Sequence, residues 1–377
     1  MKNYLCLILV FFVFWGCNRV KGVSLEDDDT APLAEARIAA ITTPRDKFLW
    51  PFASNSIWNM PIGSKASYKN ASLYSYNATG QWTSYDLEII RTVPAGSPTV
   101  PLYAPMSWNT RCGGTASATG NPTNSVSVLF PASWTFADAT ATDTPNNCAA
   151  FIQPDGQTVV SLAPLARCTA GGPVYGWFNG NQNLYTDGIR GSHGGSGLSA
   201  IGGSIRLGEL TGAEPIRHAL KINVWGPKYL YYRANDATPG FRWPADRADS
   251  YAPTAYGGTN AQVEMGALLA IPRNVTAASL GLVTDPAKKL LWTLQNYGAY
   301  IVDDTGWDVA AFCVAEGVPD EFATRYGFAF ATDNKSSAWF QDYYKIVRAL
   351  SVIQNNAATA VGGGGTPGQP LAPPIGN

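Results

Sequence analysis

Charge is the first scarcity. Of 377 residues only 14% are Asp, Glu, Lys or Arg, where roughly 25% is usual, and 26 basic residues against 27 acidic ones leave a net charge of -1. There is no basic stripe to neutralise phosphates, which excludes the electrostatic footprint of a nucleic-acid binder. Apart from residues 26–29, no run of like charge marks an interaction tail. Histidine is nearly missing, with His193 and His218 the only two. No Cys-x-x-Cys pair occurs either, so a zinc site has too few ligands to build from. No internal repeat of about 20–50 residues is present, which removes solenoids and propellers. Calcium would suit the acidic loops chemically, but no loop has the regular Asp/Asn spacing of a calcium motif. No metal or other cofactor is therefore expected.

Long apolar runs are also lacking. The one run, residues 4–15, is 12 residues long, too short to span a bilayer as a helix. Behind Lys2 it has the layout of an export signal. Its Gly16-Cys17 ending resembles the lipobox of bacterial lipoproteins, which implies cleavage after residue 17's neighbour and lipidation of Cys17; an ordinary secretory peptide cut a few residues later is the alternative. Residues 18–46, polar and Ala-rich, then serve as a tether. Their Leu25-Glu26-Asp27-Asp28-Asp29 stretch resembles the export signal of surface-displayed lipoproteins in Bacteroidota. The expected address is extracytoplasmic: the bacterial outer membrane or cell surface, held only by the lipid, or otherwise the medium. The four cysteines beyond residue 17, Cys112, Cys148, Cys168 and Cys313, fit an oxidising compartment and two disulfides. Three pairings are open. The preferred one joins Cys112 to Cys168, each in an Arg-Cys step, and leaves Cys148 with Cys313.

Aromatics, glycine and proline are plentiful: 12 Trp, 18 Tyr, 38 Gly and 26 Pro. That composition favours turns and short strands over long helices. The expected body, residues 47–355, is one mainly β domain, a β-sandwich or jelly-roll-like unit with a few C-terminal helices packed on it. Residues 356–377, with Gly362 to Gly365 and several prolines, read as a flexible tail. Strand patterns occur at 85–89, 126–130, 150–153 and 158–162, the last two joined by Pro154-Asp155-Gly156. The clearest runs over 216–225, with Ile216, His218, Leu220, Ile222 and Val224 on one face and Arg217, Ala219, Lys221 and Asn223 on the other. Asp285, Pro286, a Leu290-Leu291-Leu294-Tyr297 stripe and Gly298 define a helix. A short buried strand over 299–302 follows. Ser337 opens a second helix whose Trp339, Tyr343, Val347 and Leu350 recur at helical spacing as a core face.

The stretch 185–224 is the most unusual. Its glycines interleave Asp187, Arg190, His193, Arg206, Glu209 and His218, enough carboxylates, imidazoles and guanidiniums for acid/base work beside an anion. A glycine-rich hairpin with mutually satisfied polar groups is the structural alternative, and His218 on an apolar face is more often a hydrogen-bonded core residue. His193-Gly194-Gly195-Ser196-Gly197 resembles a hydrolase elbow, but Leu198 stands where its second glycine belongs. The glycine pairs lack the Gly-Lys-Ser/Thr ending of a phosphate loop. A second polar knot is Asp303-Asp304 after the buried strand, where one carboxylate can line a site and the other cap a following helix. A third is the Gly240-Phe241-Arg242-Trp243-Pro244-Ala245-Asp246-Arg247-Ala248-Asp249 loop with Tyr251 and Tyr256 close behind it. Rings beside Asp and Arg suit sugar faces, or else the Trp anchors the loop.

The order Gly-Leu, Gly-Gly, Ile-Arg, Glu-Leu, Ile-Arg-His-Ala-Leu, Trp-Pro-Ala and Val-Asp-Asp across residues 48–330 resembles secreted bacterial and fungal proteins without an assigned activity. That resemblance carries Arg206, Glu209 and His218 but no reaction. The leading expectation is a monomeric, polysaccharide-cleaving glycoside hydrolase. Asp187, Glu209 and Asp304 are its candidate carboxylates, His193 and His218 its acid/base or positioning groups, and Arg190, Arg206, Trp243, Asp246 and Tyr251 its substrate contacts. A polysaccharide lyase with an Arg on the uronate and His or Tyr moving protons is the nearest rival. A non-catalytic glycan-binding lipoprotein and an envelope structural protein are the others.

Overall fold

The computed structural model describes residues 45–74 and 82–375. The export signal, Cys17 and all of the tether before Arg45 lie outside them. None of the helices is long and apolar enough to cross a membrane among the described residues.

The body is mainly β, with few helices, mostly C-terminal. The thirteen strands among the described residues are β1 Tyr68–Asn70, β2 Ser84–Thr92, β3 Thr99–Tyr103, β4 Val126–Leu129, β5 Cys148–Ile152, β6 Thr158–Ala166, β7 Val174–Trp177, β8 Asn181–Asn183, β9 Leu220–Val224, β10 Leu268–Ala270, β11 Ala299–Asp304, β12 Ala310–Ala315 and β13 Ser351–Ile353. They join one mixed sheet in the order β1-β13-β10-β11-β9-β12-β2-β5-β6-β7-β3-β4, with β8 on β6. At its centre β12 runs parallel to β2 and antiparallel to β9, while β9 is parallel to β11 and β2 to β5.

Strand alternation separates two cores. Ile90, Ala150 and Ile152 face the large one; their neighbours Ile89, Ala149 and Phe151 face a smaller one closed by Val100, Val128, Phe130 and Phe136. This is how strand residues buried on both sides arise in a sandwich-like body. The strand expected over 216–225 is confined to β9, all five of whose residues are buried. The face bearing Lys221 and Asn223 is thus covered rather than solvated.

Among the described residues six helices follow or interrupt the strands: α1 Gly226–Tyr229, α2 Ala252–Ala255, α3 Ala277–Leu280, α4 Asp285–Asn296, α5 Val318–Tyr326 and α6 Ala338–Ala349. Helix α4 starts after Thr284 with Pro in its first turn, and Gly298 turns the chain at a φ of 77°. Ser337 caps α6 by accepting from the Phe340 amide. Trp339, Tyr343, Val347 and Leu350 are buried. Asp342, buried on α6, accepts from the Val283 and Thr284 amides at 2.9 and 2.7 Å. A carboxylate on one helix thereby meets the positive end of the other.

Two expectations are corrected. Residues 356–375 are not a loose tail: Gly63 bridges Pro367, Arg45 bridges Ile375, Val361–Gly363 form a 3-10 turn, and Ala372 is buried. The glycines there serve tight turns against the Pro61–Ala66 backbone rather than linker freedom. Cys112 is disulfide-bonded to Cys168, but Cys148 and Cys313 are free and buried. Cys313 pairs with Asp86 across one edge of β2, and Cys148 with Glu88 across the other. Two strand spacings, roughly 9–10 Å, separate them, beyond the ~7 Å limit for Cα atoms joined by a disulfide. Chain beginning at residue 18, denatured without reductant, is therefore expected to titrate two free thiols; a count of zero would show a second disulfide and a different register around β2.

Candidate functional site

The site grows from β2. The alternation Tyr85-Asp86-Leu87-Glu88-Ile89 could place the carboxylates in solvent, yet Leu87 is 38% exposed and Glu88 fully buried. In-register partners share a face, so Asp86 and Glu88 join Cys313 on β12, Cys148 on β5, Asn223 and Lys221 on β9 and Asp303 on β11. Seven polar or thiol side chains thus form one patch at the middle of the sheet. The glycine-rich segment covers it, and Gly194 and Gly195 are required for the close approach: a Cβ on Gly194 would collide with the Asp303 carboxylate, and one on Gly195 with that of Asp249.

Glu88 is the hub. Lys221 Nζ donates to its Oε2 at 2.6 Å and Ser204 Oγ donates to the same oxygen; His193 Nε2 meets Oε1 at 2.8 Å. Lys221 also donates to the Ser199 and Ala200 carbonyls, at 3.1 and 2.8 Å. Burial alone would push the Glu88 carboxyl up, but the Lys221 ammonium and His193 overcome it and hold it down at about 2. The other face of His193 is different. Its Nδ1 has no hydrogen-bond partner and lies 3.7 Å from Asp303 Oδ2.

Asp303 belongs to a trio. Single carboxylate oxygens of Asp249, Asp303 and Asp304 all lie within 4.8 Å of one another. Asp303 Oδ1 accepts from the Gly195 and Asp304 amides at 3.1 and 3.0 Å, Asp304 from Tyr251 Oη at 2.8 Å, and Asp249 from Tyr256 Oη at 2.6 Å. A bulge in β11 between Ile301 and Asp303 lets consecutive aspartates serve one cluster despite the strand's alternation. No helix follows Asp304 for it to cap; β12 does. Burial, then the charges of Asp249 and Asp304, push the Asp303 carboxyl well above its usual range. Burial and Asp249 raise Asp304 to about 6, and burial raises Asp249. Both tyrosine hydroxyls are pushed up by burial and by Asp249. The trio's spacing is also what one calcium ion spans, since oxygens at about 2.4 Å from a cation are at most ~4.8 Å apart.

A cleft with a cavity volume of about 360 Å3 reaches Asp303 and Gly194, and Trp108, Trp177, Asn146, Asn179 and Arg247 line its walls. That volume is in the ~300–1,000 Å3 range of small-molecule sites. Trp108 and Trp177 are about half exposed, as rings available for stacking are.

Of the residues expected from sequence, His193, Asp304 and Tyr251 come together here. Arg190 and Asp246 stand at the edge, 2.7 Å apart, and Arg247 also pairs with Asp246. The rest are elsewhere. Asp187 is exposed and accepts from the Ile189 amide. Glu209 accepts from the Arg206 amide and meets His218 Nε2 at 3.0 Å, while His218 Nδ1 faces the Ala219 carbonyl. The Arg206 guanidinium is buried on the Ser204 and Ile201 carbonyls. These three brace the backbone and line no cleft described here. Trp243 packs against the core as a loop anchor. Asp86, Glu88, Lys221, Trp108 and Trp177 were not singled out by sequence as site residues, and Arg247, Asp249, Tyr256 and Asp303 entered only as members of the polar knots; paired acids two apart on a strand were the available signal for the first two.

No family model, curated protein or solved structure matches the chain, so its chemistry is argued from the site itself.

Two stability measurements check this electrostatic account. Lys221→Met leaves Glu88 buried without its cation, and unfolding free energy should fall by about 3–5 kcal/mol; the Glu88→Gln/Lys221→Met double variant should recover part of it. A single variant as stable as wild type would refute the ion pair. For Asp304 the folded carboxyl, at about 6, lies above an unfolded value of ~3.9. The native state thus binds more proton, and this group costs stability as pH rises through that interval. Asp304→Asn should leave Tm unchanged near pH 4 and raise it relative to wild type by pH 7. An offset independent of pH would contradict the shift.

Proposed function

We propose that this chain is a glycoside hydrolase that cleaves a polysaccharide outside the cytoplasm. The observation that carries the reading is the buried Asp303 carboxyl at the floor of a cleft walled by Trp108 and Trp177, with Asp249 and Asp304 oxygens within 4.8 Å of it. Aromatic walls suit the apolar faces of sugar rings, and asparagine side chains suit their hydroxyls. The Cys112–Cys168 disulfide supports an oxidising compartment, and the N-terminal segment supports export.

The carboxyls divide the work by environment. Asp303, the more deeply buried and more strongly raised, keeps its proton and acts as general acid on the leaving glycosidic oxygen. Asp304, raised only to about 6, is ionised at neutral pH and attacks the anomeric carbon, the Tyr251 hydroxyl orienting it. The ester so formed is hydrolysed when Asp303, now a carboxylate, takes a proton from water and the oxygen of that water displaces Asp304. Oxygens within 4.8 Å approach the ~5–5.5 Å separation of retaining enzymes and fall short of the ~6.5–9.5 Å that leaves room for an inverting water. The product should therefore keep the anomeric configuration of the substrate.

A lyase is less well supported. His193 is fully buried on Glu88 and His218 is held by Glu209; the Tyr251 and Tyr256 hydroxyls, pushed up, are poor bases.

The test is chain beginning at residue 18 incubated with plant, algal and microbial polysaccharides, following reducing ends, ultraviolet absorbance of unsaturated uronates, and product anomers by NMR. Reducing ends without absorbance, retention, and a loss of at least 1,000-fold in Asp303→Asn are expected. Absorbance with reducing ends would make it a lyase. Retention on a glycan without products would leave a binder. A rate abolished by chelator and restored by calcium would make the trio a cation site instead of an acid/nucleophile pair.

A further inference from the structure

The charged groups of the cleft bear on what kind of glycan it takes. Its lining holds three ionisable side chains, Cys148, Arg247 and Asp303. Cys148 is a buried thiol on the sheet, so Arg247 is the one cation on the walls. Its surroundings do not cancel it. Arg247 donates through Nε and Nη2 to the two oxygens of Asp246, at 2.7 and 3.2 Å, and Arg190 Nη1 meets Asp246 Oδ2 at 2.7 Å. Two guanidiniums therefore share one carboxylate, which is their only salt-bridge partner among the described residues. One positive charge is left over. Nη1 of Arg247 and the Nε–Nη2 edge of Arg190 make no hydrogen bond among the described residues, and both side chains are about half exposed.

A third guanidinium lies against the Trp108 ring. Arg111 sits 5.1 Å from the Trp108 ring centroid, its residue buried and its Nε and Nη1 without hydrogen-bond partners. Asp138 and Asp143 act on Arg111 and offset it, so the surplus charge on the walls is that of the Arg247 and Arg190 pair; the cleft's other lining groups are neutral amides, hydroxyls and rings, apart from Asp303 at the floor and the Cys148 thiol. Guanidiniums present planar donor pairs that match carboxylate and sulfate oxygens.

We propose that the cleft takes a glycan bearing anionic substituents, uronate carboxylates or sulfate esters, with Arg247 as the anion-holding residue and Arg190 beside it. The inference rests on the polysaccharide-cleaving reading and gives it a substrate class. Its experiment is separable from cleavage because it reads binding.

The Asp303→Asn full-length chain, which should bind without turnover, is run in affinity gels containing four probes: polygalacturonate, its methyl ester, a carrageenan, or agarose. Each pair keeps the backbone type and changes the charge. Retardation by polygalacturonate or carrageenan should be at least tenfold stronger than by the neutral partner, and should weaken with added salt. Binding to one of the two anionic polymers assigns the carboxylate or the sulfate; binding to both leaves charge as the determinant. Adding Arg247→Met should cost at least tenfold with Tm unchanged, since Arg190 still neutralises Asp246; Arg190→Met serves as a second probe should the first variant fold poorly. Equal retardation by charged and neutral partners, retardation by neither anionic polymer, or full binding after Arg247→Met would overturn the inference. The cleavage reading fails separately, when wild type releases no reducing ends from any polysaccharide.

Discussion

The buried contact between Glu88 and Lys221 is the constraint on which the rest of the site depends. Two opposite charges at 2.6 Å, both wholly excluded from water, are costly to desolvate and hold only when every lone pair and proton has a partner. That requirement reaches outward. It fixes Ser204 and His193 on Glu88, and it draws the Ser199 and Ala200 carbonyls onto Lys221. The glycine-rich segment is thereby pinned to the sheet face, and Gly194 and Gly195 are brought against Asp303 and Asp249. A hydrophobic patch could hold the segment down as tightly. It could not fix the turn carrying Gly194 and Gly195 at hydrogen-bonding distance from Asp303.

The mixed topology explains how one face collects so many polar groups. Parallel pairing of β12 with β2 and of β2 with β5 makes central strands that are buried on both sides. On most of them one face meets apolar core and the other meets the glycine segment, so a polar residue can sit at the centre of the sheet without meeting solvent. Phe151 and Ile89 on the opposite face lie in the smaller core with Phe130 and Phe136. The candidate site thus has an aromatic core as its backing, and Asp303 and Asp304 are held by a strand while Asp249 reaches them from the loop before α2.

Local signals in the chain were enough for α4, α6 and several strands, but not for α5 or the three one-turn helices. The Pro286, Gly298 and Ser337 punctuation marks the ends of α4 and α6 because capping is a short-range matter, decided by a few neighbouring residues. The Arg111-Cys112 and Arg167-Cys168 steps likewise announced one disulfide. The tail misled because glycine-rich composition serves tight turns as readily as it serves linkers, and only the facing backbone tells which. The site was legible in part. His193, Asp304 and Tyr251 stood out beside glycines or in acidic clusters. Glu88 and Lys221 did not, because a charged residue on an alternating strand ordinarily faces water, and only tertiary cover from residues far along the chain inverts that reading. Asp249 joins Asp303 and Asp304 across more than fifty residues, a convergence that no linear spacing can display.

The two carboxyl systems on this face are held in opposite senses, and that opposition is the strongest physical argument for chemistry here. Glu88 is buried with a cation and is held down; Asp303 is buried with other acids and is pushed up. A structural network would be expected to resemble the first, since charges buried for stability come paired. The trio does the reverse. It gathers three groups that repel one another when ionised, relieved by tyrosine hydroxyls, backbone amides and the nearby His193. Such an arrangement lowers stability at neutral pH, and folds retain costs of this kind mainly where a proton must be kept for a substrate. His193 spans the two systems, bonded on one side to the permanent anion and facing on the other, across 3.7 Å, a carboxyl able to lose its proton. Its imidazole thus places the ion pair at the sheet centre beside the group at the floor of the cleft.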